Sequence, residues 1–323
     1  MISPSFYLFV SLYIFSFYLC FNMDDWFLVW MGLELNMISF VVLIYSREDM
    51  KAVESCLKYF FVQSLGFGIF MMIFYLNGSG FEFLGSLVLS YKMGGGPFFF
   101  WFPSVCSGIS WYSCFMLMSF QKLIPLMLMI ELIGFGLWAV VFLSILVGAI
   151  GSFNQVRIKV LMAFSSINQM GWLLMCMILN KIIWISYYLV YVVVLFVVLY
   201  KMKSGEVNNY LSIMSLELKW WVLLMLMNLG GVPPFLGFFL KWVGFYNMLL
   251  GGLFMFVFMI MMSVVMLYVY MRICYGVLMG MSGEMGYVNV FMEGDNWSII
   301  KFIMDLLMMM GLLTGGLFMV FLI

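Results

Sequence analysis

LGGVPPFLGFFLKW, residues 229–242, decides how this chain folds. Apolar residues run far enough on both sides of it to cross a bilayer as a helix, yet Gly230, Gly231, Pro233 and Pro234 interrupt the run and Lys241 follows at depth. Glycine and proline free backbone carbonyls and amides that hydrocarbon cannot satisfy, so such a break must be buried in protein or line a polar cavity. A second stretch, KMGGGPFFFWFP at 92–103, has the same construction, with Gly94, Gly95, Gly96 and Pro97 next to Lys92. A loop between two short helices is the plain alternative for each. The flanking segments are too short to cross separately, which favours interrupted spans.

Outward from these two breaks the chain is uniformly apolar. Of 323 residues 67% are hydrophobic and 9% charged, with a mean hydropathy of +1.17, against about a quarter charged in a soluble domain. A water-soluble fold is excluded, and no polar block is long enough for a separate globule. The expectation is a single all-α polytopic membrane domain, 1–323. Windows of about 20 residues fall at 5–21, 26–45, 56–76, 81–102, 107–131, 134–153, 158–179, 182–202, 217–250, 252–275 and 301–322. That makes about eleven transmembrane helices, without β-barrel alternation. The breaks lie in the fourth and ninth windows, an odd number apart, so units related by them would be oppositely oriented. The expected organisation is two inverted five-helix repeats, 1–131 and 134–275, with broken helices near 94–97 and 230–234. Residues 276–323 are expected to form a loop and a C-terminal helix outside both.

Charge sets the orientation and narrows the chemistry. With the N-terminus on one side, the loops of that side carry Arg47, Lys51, Arg157, Lys159, Lys201, Lys203, Lys219 and Arg272, while the other side holds Lys181 with Asp24 and Asp25. The basic side is the inner one, so the N-terminus is expected in the matrix or cytoplasm and the C-terminus outside. The opening MISPSFYLFVSLYIFSFYLCF has no basic region before its apolar run and reads as a first span. A net charge of zero and the absence of a basic patch argue against a nucleic-acid partner. Cys20, Cys56, Cys106, Cys114, Cys176 and Cys274 stand singly, without the spacing of an iron–sulfur or zinc site, and histidine is absent. No bound electron carrier or metal is expected, and proton chemistry falls to Lys and Glu. The 36 Met and 36 Phe, beside Thr314 as the single threonine, fit a G/T-rich gene in which ATA encodes Met. An organelle-encoded product is expected.

Four ionisable residues stand well inside predicted spans: Glu34, Lys92, Lys122 and Lys241. Each costs about 3 kcal/mol at the centre of a helix on insertion scales, so the four together oppose insertion by roughly 12 kcal/mol. That is comparable with a whole domain's stability of about 5–15 kcal/mol. Such a cost points to function, the bland reading being that some of them snorkel to a membrane face.

Six segments carry a family resemblance: WMGLELNMISF at 30–40, ESCLKYFFVQS at 54–64, KMGGGPFFFWFP at 92–103, FQKLIP at 120–125, AFSSINQMGW at 163–172 and LGGVPPFLGFFLKW at 229–242. In this order and spacing they resemble the antiporter-like membrane subunits of respiratory NADH:quinone oxidoreductase, complex I, over most of residues 26–275. The resemblance implies two inverted five-helix units in the mitochondrial inner membrane, translocating protons as NADH reduces ubiquinone elsewhere in the complex. It maps the family's acid and broken-helix lysine onto Glu34 and Lys92, its central lysine onto Lys122 and its second-repeat lysine onto Lys241. It implies no cofactor in this chain: NADH, FMN, iron–sulfur clusters and ubiquinone serve the whole complex. The implied partners are the other complex I membrane subunits and lipids, with protons as the transported species. The chain departs from the family where members often carry histidine, at Gln169 and Phe99, so water and lysines must serve instead. Lys58 and Glu131 lie near predicted membrane faces, and their roles stay open. The rivals are a free-standing cation/proton antiporter and a structural membrane spacer.

Overall fold

A computed structural model describes residues 4–22, 25–46, 49–76, 81–180, 183–204, 209, 219–233, 235–248 and 252–280. Among these it is helical almost throughout, with one isolated antiparallel bridge, Arg157 to Asn209, in place of any strand. Asp24, Arg47, Lys181, Pro234, the side chain of Lys219 and the expected helix at 301–322 fall outside the described residues.

The first helices follow the apolar windows closely. They are α1 (Pro4–Asn22), α2 (Trp26–Ile44) and α3 (Met50–Leu76). Lipid offers no hydrophobic drive between helices, so close approach depends on small side chains. A Cβ on Gly32 of α2 would meet the Cys20 sulfur of α1 at 2.6 Å, and α1 packs on α2 there. The fourth window is broken as expected: α4 (Phe81–Met93) stops, a 3-10 turn takes Gly96–Phe98, and α5 (Trp101–Gly108) resumes. At 13 residues, α4 reaches about 20 Å, well short of the roughly 30 Å core of a bilayer.

The fifth window holds a helical stretch, Trp111–Met129, long and apolar enough to cross a membrane, but it is interrupted at one residue. After Ile109 and Ser110 the chain forms α6 (Trp111–Met118), turns at Ser119 with φ −110° and ψ −89°, and continues as α7 (Phe120–Met129) with Pro125 inside it. Proline has no N–H and clashes with the preceding turn, so Gln121 loses its helical donor. Ser119 and Pro125 thus bracket Lys122.

The next helices are α8 (Phe135–Gly151), α9 (Ile158–Leu179) and α10 (Ile183–Ser204). The ninth window is broken between α11 (Lys219–Gly230) and α12 (Leu236–Met248), and α13 (Leu253–Gly280) runs past the expected limit of 275. Among the described residues six helical stretches are long and apolar enough to cross a membrane, and there are shorter apolar helices as well. Their shielding differs widely, from 94% of the α9 window buried to 22% for α13. That is why α9 can carry buried Ser165, Ser166, Asn168 and Gln169, groups that lipid could not satisfy.

By compactness the chain divides into two units, Met1–Gly148 with Lys159–Ile178, and Ala149–Ile158 with Leu179–Ile323. The expected repeats would divide it at 131–134 instead; α9 groups with the first unit, where Gly148 and Gly171 let it close on α8. Each unit holds one of the two broken helices.

Candidate functional site

The break after α4 is closed by a Schellman motif. Gly94 adopts φ +70°, a conformation open to glycine at little cost. Its amide bonds to Tyr91 O at 3.2 Å, and the Gly95 amide reaches back to Ser90 O at 3.0 Å, the two bonds that define the motif. Trp101 Nε1 donates to Tyr91 O at 3.1 Å and Gln63 Nε2 to Lys92 O at 3.0 Å. The carbonyls of Ser90, Tyr91 and Lys92, freed at the end of α4, therefore have donors, as burial in a membrane requires. A Cβ at Gly94 would meet the Cβ of Phe102 at 2.6 Å.

The lysine at this break is held by ring faces instead of hydrogen bonds. Lys92 Nζ lies 3.7 Å from the Phe67 ring centroid and 4.9 Å from that of Phe70, cation–π geometry, and among the described residues it has no hydrogen-bond partner. Gln63, Gly66, Phe67 and Phe70 stand three and four residues apart along α3 and form one face. A Cβ on Gly66 would meet the Tyr91 ring at 3.3 Å and Lys92 Cγ at 3.4 Å. Glu34, half-buried on α2, is within electrostatic reach of Lys92, yet among the described residues no acid forms an ion pair with it. Lys92 opens on a cavity with about 20 Å³ of room for water centres, lined also by Asn36, Tyr59, Gln63 and Gln121.

Lys122 follows the turn at Ser119. Its Nζ donates to the backbone oxygen of Ser166 on α9 at 3.1 Å and lies 4.7 Å from the Phe102 ring. Phe102, at the start of α5, touches both the Gly94 turn and Lys122.

The second unit repeats the motif with a different lysine. Gly231, at φ +75°, bonds its amide to Asn228 O at 3.0 Å, and Val232 N reaches Met227 O at 3.3 Å. Lys241, one helix further on, donates to Gly230 O at 2.6 Å. A Cβ on Gly231 would lie 2.9 Å from Lys241 Cδ, so this glycine both turns the chain and admits the lysine. Asn228 Oδ1 accepts from Gly237 N at 2.7 Å and caps the start of α12 from across the break.

Exposures of 5% for Lys92, 1% for Lys122 and 6% for Lys241 leave none of the three able to snorkel. Glu34, Lys92 and Lys122 all lie in the first unit, with Glu34 and Lys92 neighbours there, and Lys241 stands at its own break in the second. Sequence reasoning missed the α3 face, although its spacing was readable. It also placed Lys159 in an inner loop, whereas Nζ donates to Ile109 O at 2.7 Å and so caps the end of α5. Lys201 is buried as well. Lys58 pairs with Glu54 on an exposed face of α3, and Glu131 is exposed. Phe99 lies 6.2 Å from Phe164, ring to ring, and Gln169 is buried on α9.

Buried lysines at helix breaks inside a polytopic bundle define a class of ion-translocating membrane protein. A family described as NADH:quinone oxidoreductase/Mrp antiporter, TM, matches residues 23–87 and 77–267, and the chain belongs to that family. It is 35% identical over 291 residues to NADH-ubiquinone oxidoreductase chain 2 of Anopheles gambiae, covering 84% of this chain and 85% of that one. The protein of the same name from Aedes aegypti is 31% identical over 309 residues, covering 90% and 91%. A chain of respiratory complex I from Thermus thermophilus with bound Aureothin has the same fold, with a TM-score of 0.80 at 22% identity over 96% of this chain and 78% of that one. A chain of the Mrp complex from Dietzia superposes with a TM-score of 0.70 at 17% identity, covering 83% and 59%.

Proposed function

We propose that this chain is a proton-translocating membrane-arm subunit of NADH:ubiquinone oxidoreductase, with Glu34, Lys92, Lys122 and Lys241 as its proton path. Three buried lysines, each next to an interrupted helix, carry the reading, beside curated relatives named chain 2 of that enzyme. The subunit takes part in the enzyme's reaction without binding an electron carrier. NADH, FMN, iron–sulfur clusters and ubiquinone act in other subunits, with which this one packs in the lipid of the mitochondrial inner membrane, its N-terminus in the matrix. The gene is an organelle gene.

The mechanism follows from charge in a poorly solvated site. Burial penalises an ammonium and a neighbouring carboxylate offsets that penalty, so the Glu34 to Lys92 separation governs whether Lys92 keeps its proton. Redox energy released elsewhere in the complex drives that separation, and the proton moves through water toward Lys122 and on to Lys241. Lysine suits this work because it is a compact charge on a long flexible stem.

Lys122→Met tests the reading. It keeps length and apolar packing and removes an insertion cost of about 3 kcal/mol, so the subunit should assemble. NADH-driven proton uptake in sealed vesicles should fall severely, with slower quinone reduction. Full uptake by the assembled variant would remove Lys122 from the path and leave a structural spacer as the better account. Proton/cation exchange by the purified chain alone would favour a free-standing antiporter.

A further inference from the structure

The cavity beside Lys92 contains a second enclosed donor that the proton path as drawn does not use. Gln121 immediately precedes Lys122 and lines the same cavity as Lys92, and its Nε2 is buried without a hydrogen-bond partner. Its Oε1 accepts from the Tyr59 hydroxyl at 3.3 Å. Tyr59 is in turn held by packing against Phe40 and Trp101, at 5.2 and 6.1 Å between rings. With the oxygen of the carboxamide held there, its NH2 is turned toward the cavity. The NH2 groups of two other side chains of the lining are engaged elsewhere: Asn36 Nδ2 donates to Ser16 Oγ at 3.0 Å, and Gln63 Nε2 donates to Lys92 O.

An ammonium and an amide NH2 thus line one small cavity, each without a hydrogen-bond acceptor among the described residues. Buried donors left in this way are costly, and a space of about 20 Å³ with several polar partners suits water. Water is the smallest group whose oxygen can accept from both at once. An anion would also accept from both, but the Phe67 and Phe70 rings that face Lys92 present their negative faces to it.

We infer that Gln121 is a positioning residue for the water through which Lys92 exchanges its proton, an inference that rests on the proton-path reading above. A water held by both donors has its two O–H bonds directed away from Lys92. When Lys92 gives up a proton, an N–H bond breaks and an O–H bond forms on this water. The water passes one of its own protons to the next acceptor, so charge moves on without oxidation or reduction. Without the Gln121 donor the water is free to turn, and the transfer loses its direction.

The test uses assembled oxidoreductase in sealed vesicles, comparing Gln121→Leu, Gln121→Glu and Tyr59→Phe with Lys122→Met, in H2O and D2O. Gln121→Leu should slow NADH-driven proton uptake roughly tenfold, the rate equivalent of about one hydrogen bond, and raise the solvent isotope effect as proton transfer becomes limiting. Gln121→Glu keeps the shape but replaces the donor with a carboxylate, and it should be slow as well. Tyr59→Phe keeps the ring packing and should move rate and isotope effect in the same direction by less. It carries the test if Gln121→Leu does not assemble. Normal uptake by Gln121→Glu and Tyr59→Phe, or slow uptake with an unchanged isotope effect, overturns the inference. If Lys122→Met alone is impaired, the inference fails while the proton path stands. If Lys122→Met pumps normally, the path itself has failed.

Discussion

The breaks after α4 and α11 end their helices with the same two backbone bonds and a left-handed glycine, Gly94 in one and Gly231 in the other, but they employ their lysines oppositely. Lys92 belongs to the helix that ends, and its amine points away from the break into a cavity between aromatic rings. Lys241 belongs to the helix that begins, and its amine binds the carbonyl that the break exposes at Gly230. In the first unit that work on the freed carbonyls is done by Trp101 and Gln63. Where neutral side chains satisfy the break, the lysine's amine has no part in closing it; where the lysine satisfies it, charge and architecture depend on one group.

The severest way to break this comparison is at Gly237. A Cβ there would lie far inside van der Waals contact with the Asn228 carbonyl oxygen, a backbone atom that cannot step aside. Gly237→Ala should cost roughly 3 kcal/mol or more and abolish assembly, read as loss of the complex on a native gel. An assembled, active variant would show that the second break is looser than described.

A sharper contrast comes from the two lysines themselves. Lys241→Met orphans the Gly230 carbonyl and should lower stability by about 1–3 kcal/mol as well as impair pumping. Lys92→Met orphans nothing and relieves an unpartnered amine, so it should pump poorly while unfolding no more easily than wild type. Thermal unfolding of the purified complexes measures the difference, and equal melting would erase the distinction. The smallest effect belongs to Trp101→Phe, which keeps the ring and removes the bond to Tyr91 O. Because Gly94 N still serves that carbonyl, the loss should be about 1 kcal/mol or less, with proton uptake near normal; a large pumping defect would mean that the first break depends on Trp101 for more than closure.

Much of this was readable from residues because membranes make exceptions conspicuous. Gly94–Pro97 and Gly230–Pro234 break runs that lipid would otherwise keep helical, and Glu34, Lys92, Lys122 and Lys241 are charges in a solvent that penalises charge. The turn at Ser119 was not legible, since serine is tolerated inside membrane helices and Pro125 lies six residues further on. Nor was the Tyr59 to Gln121 bond, whose partners are 62 residues apart. Lys159 and Lys201 read as loop charges because hydropathy locates the end of a span without saying which carbonyls or cavities await a side chain there.

Lys122, Lys159 and Lys241 all bind main-chain oxygens, those of Ser166, Ile109 and Gly230. Such acceptors are supplied by the path of the chain and not by any codon, so no single base change can delete them while the fold persists. A sequence with one threonine and no histidine can therefore vary the side chains around its lysines and keep their docking points. Heredity needs to preserve the lysines and the bends; the oxygens that receive them are inherited with the backbone.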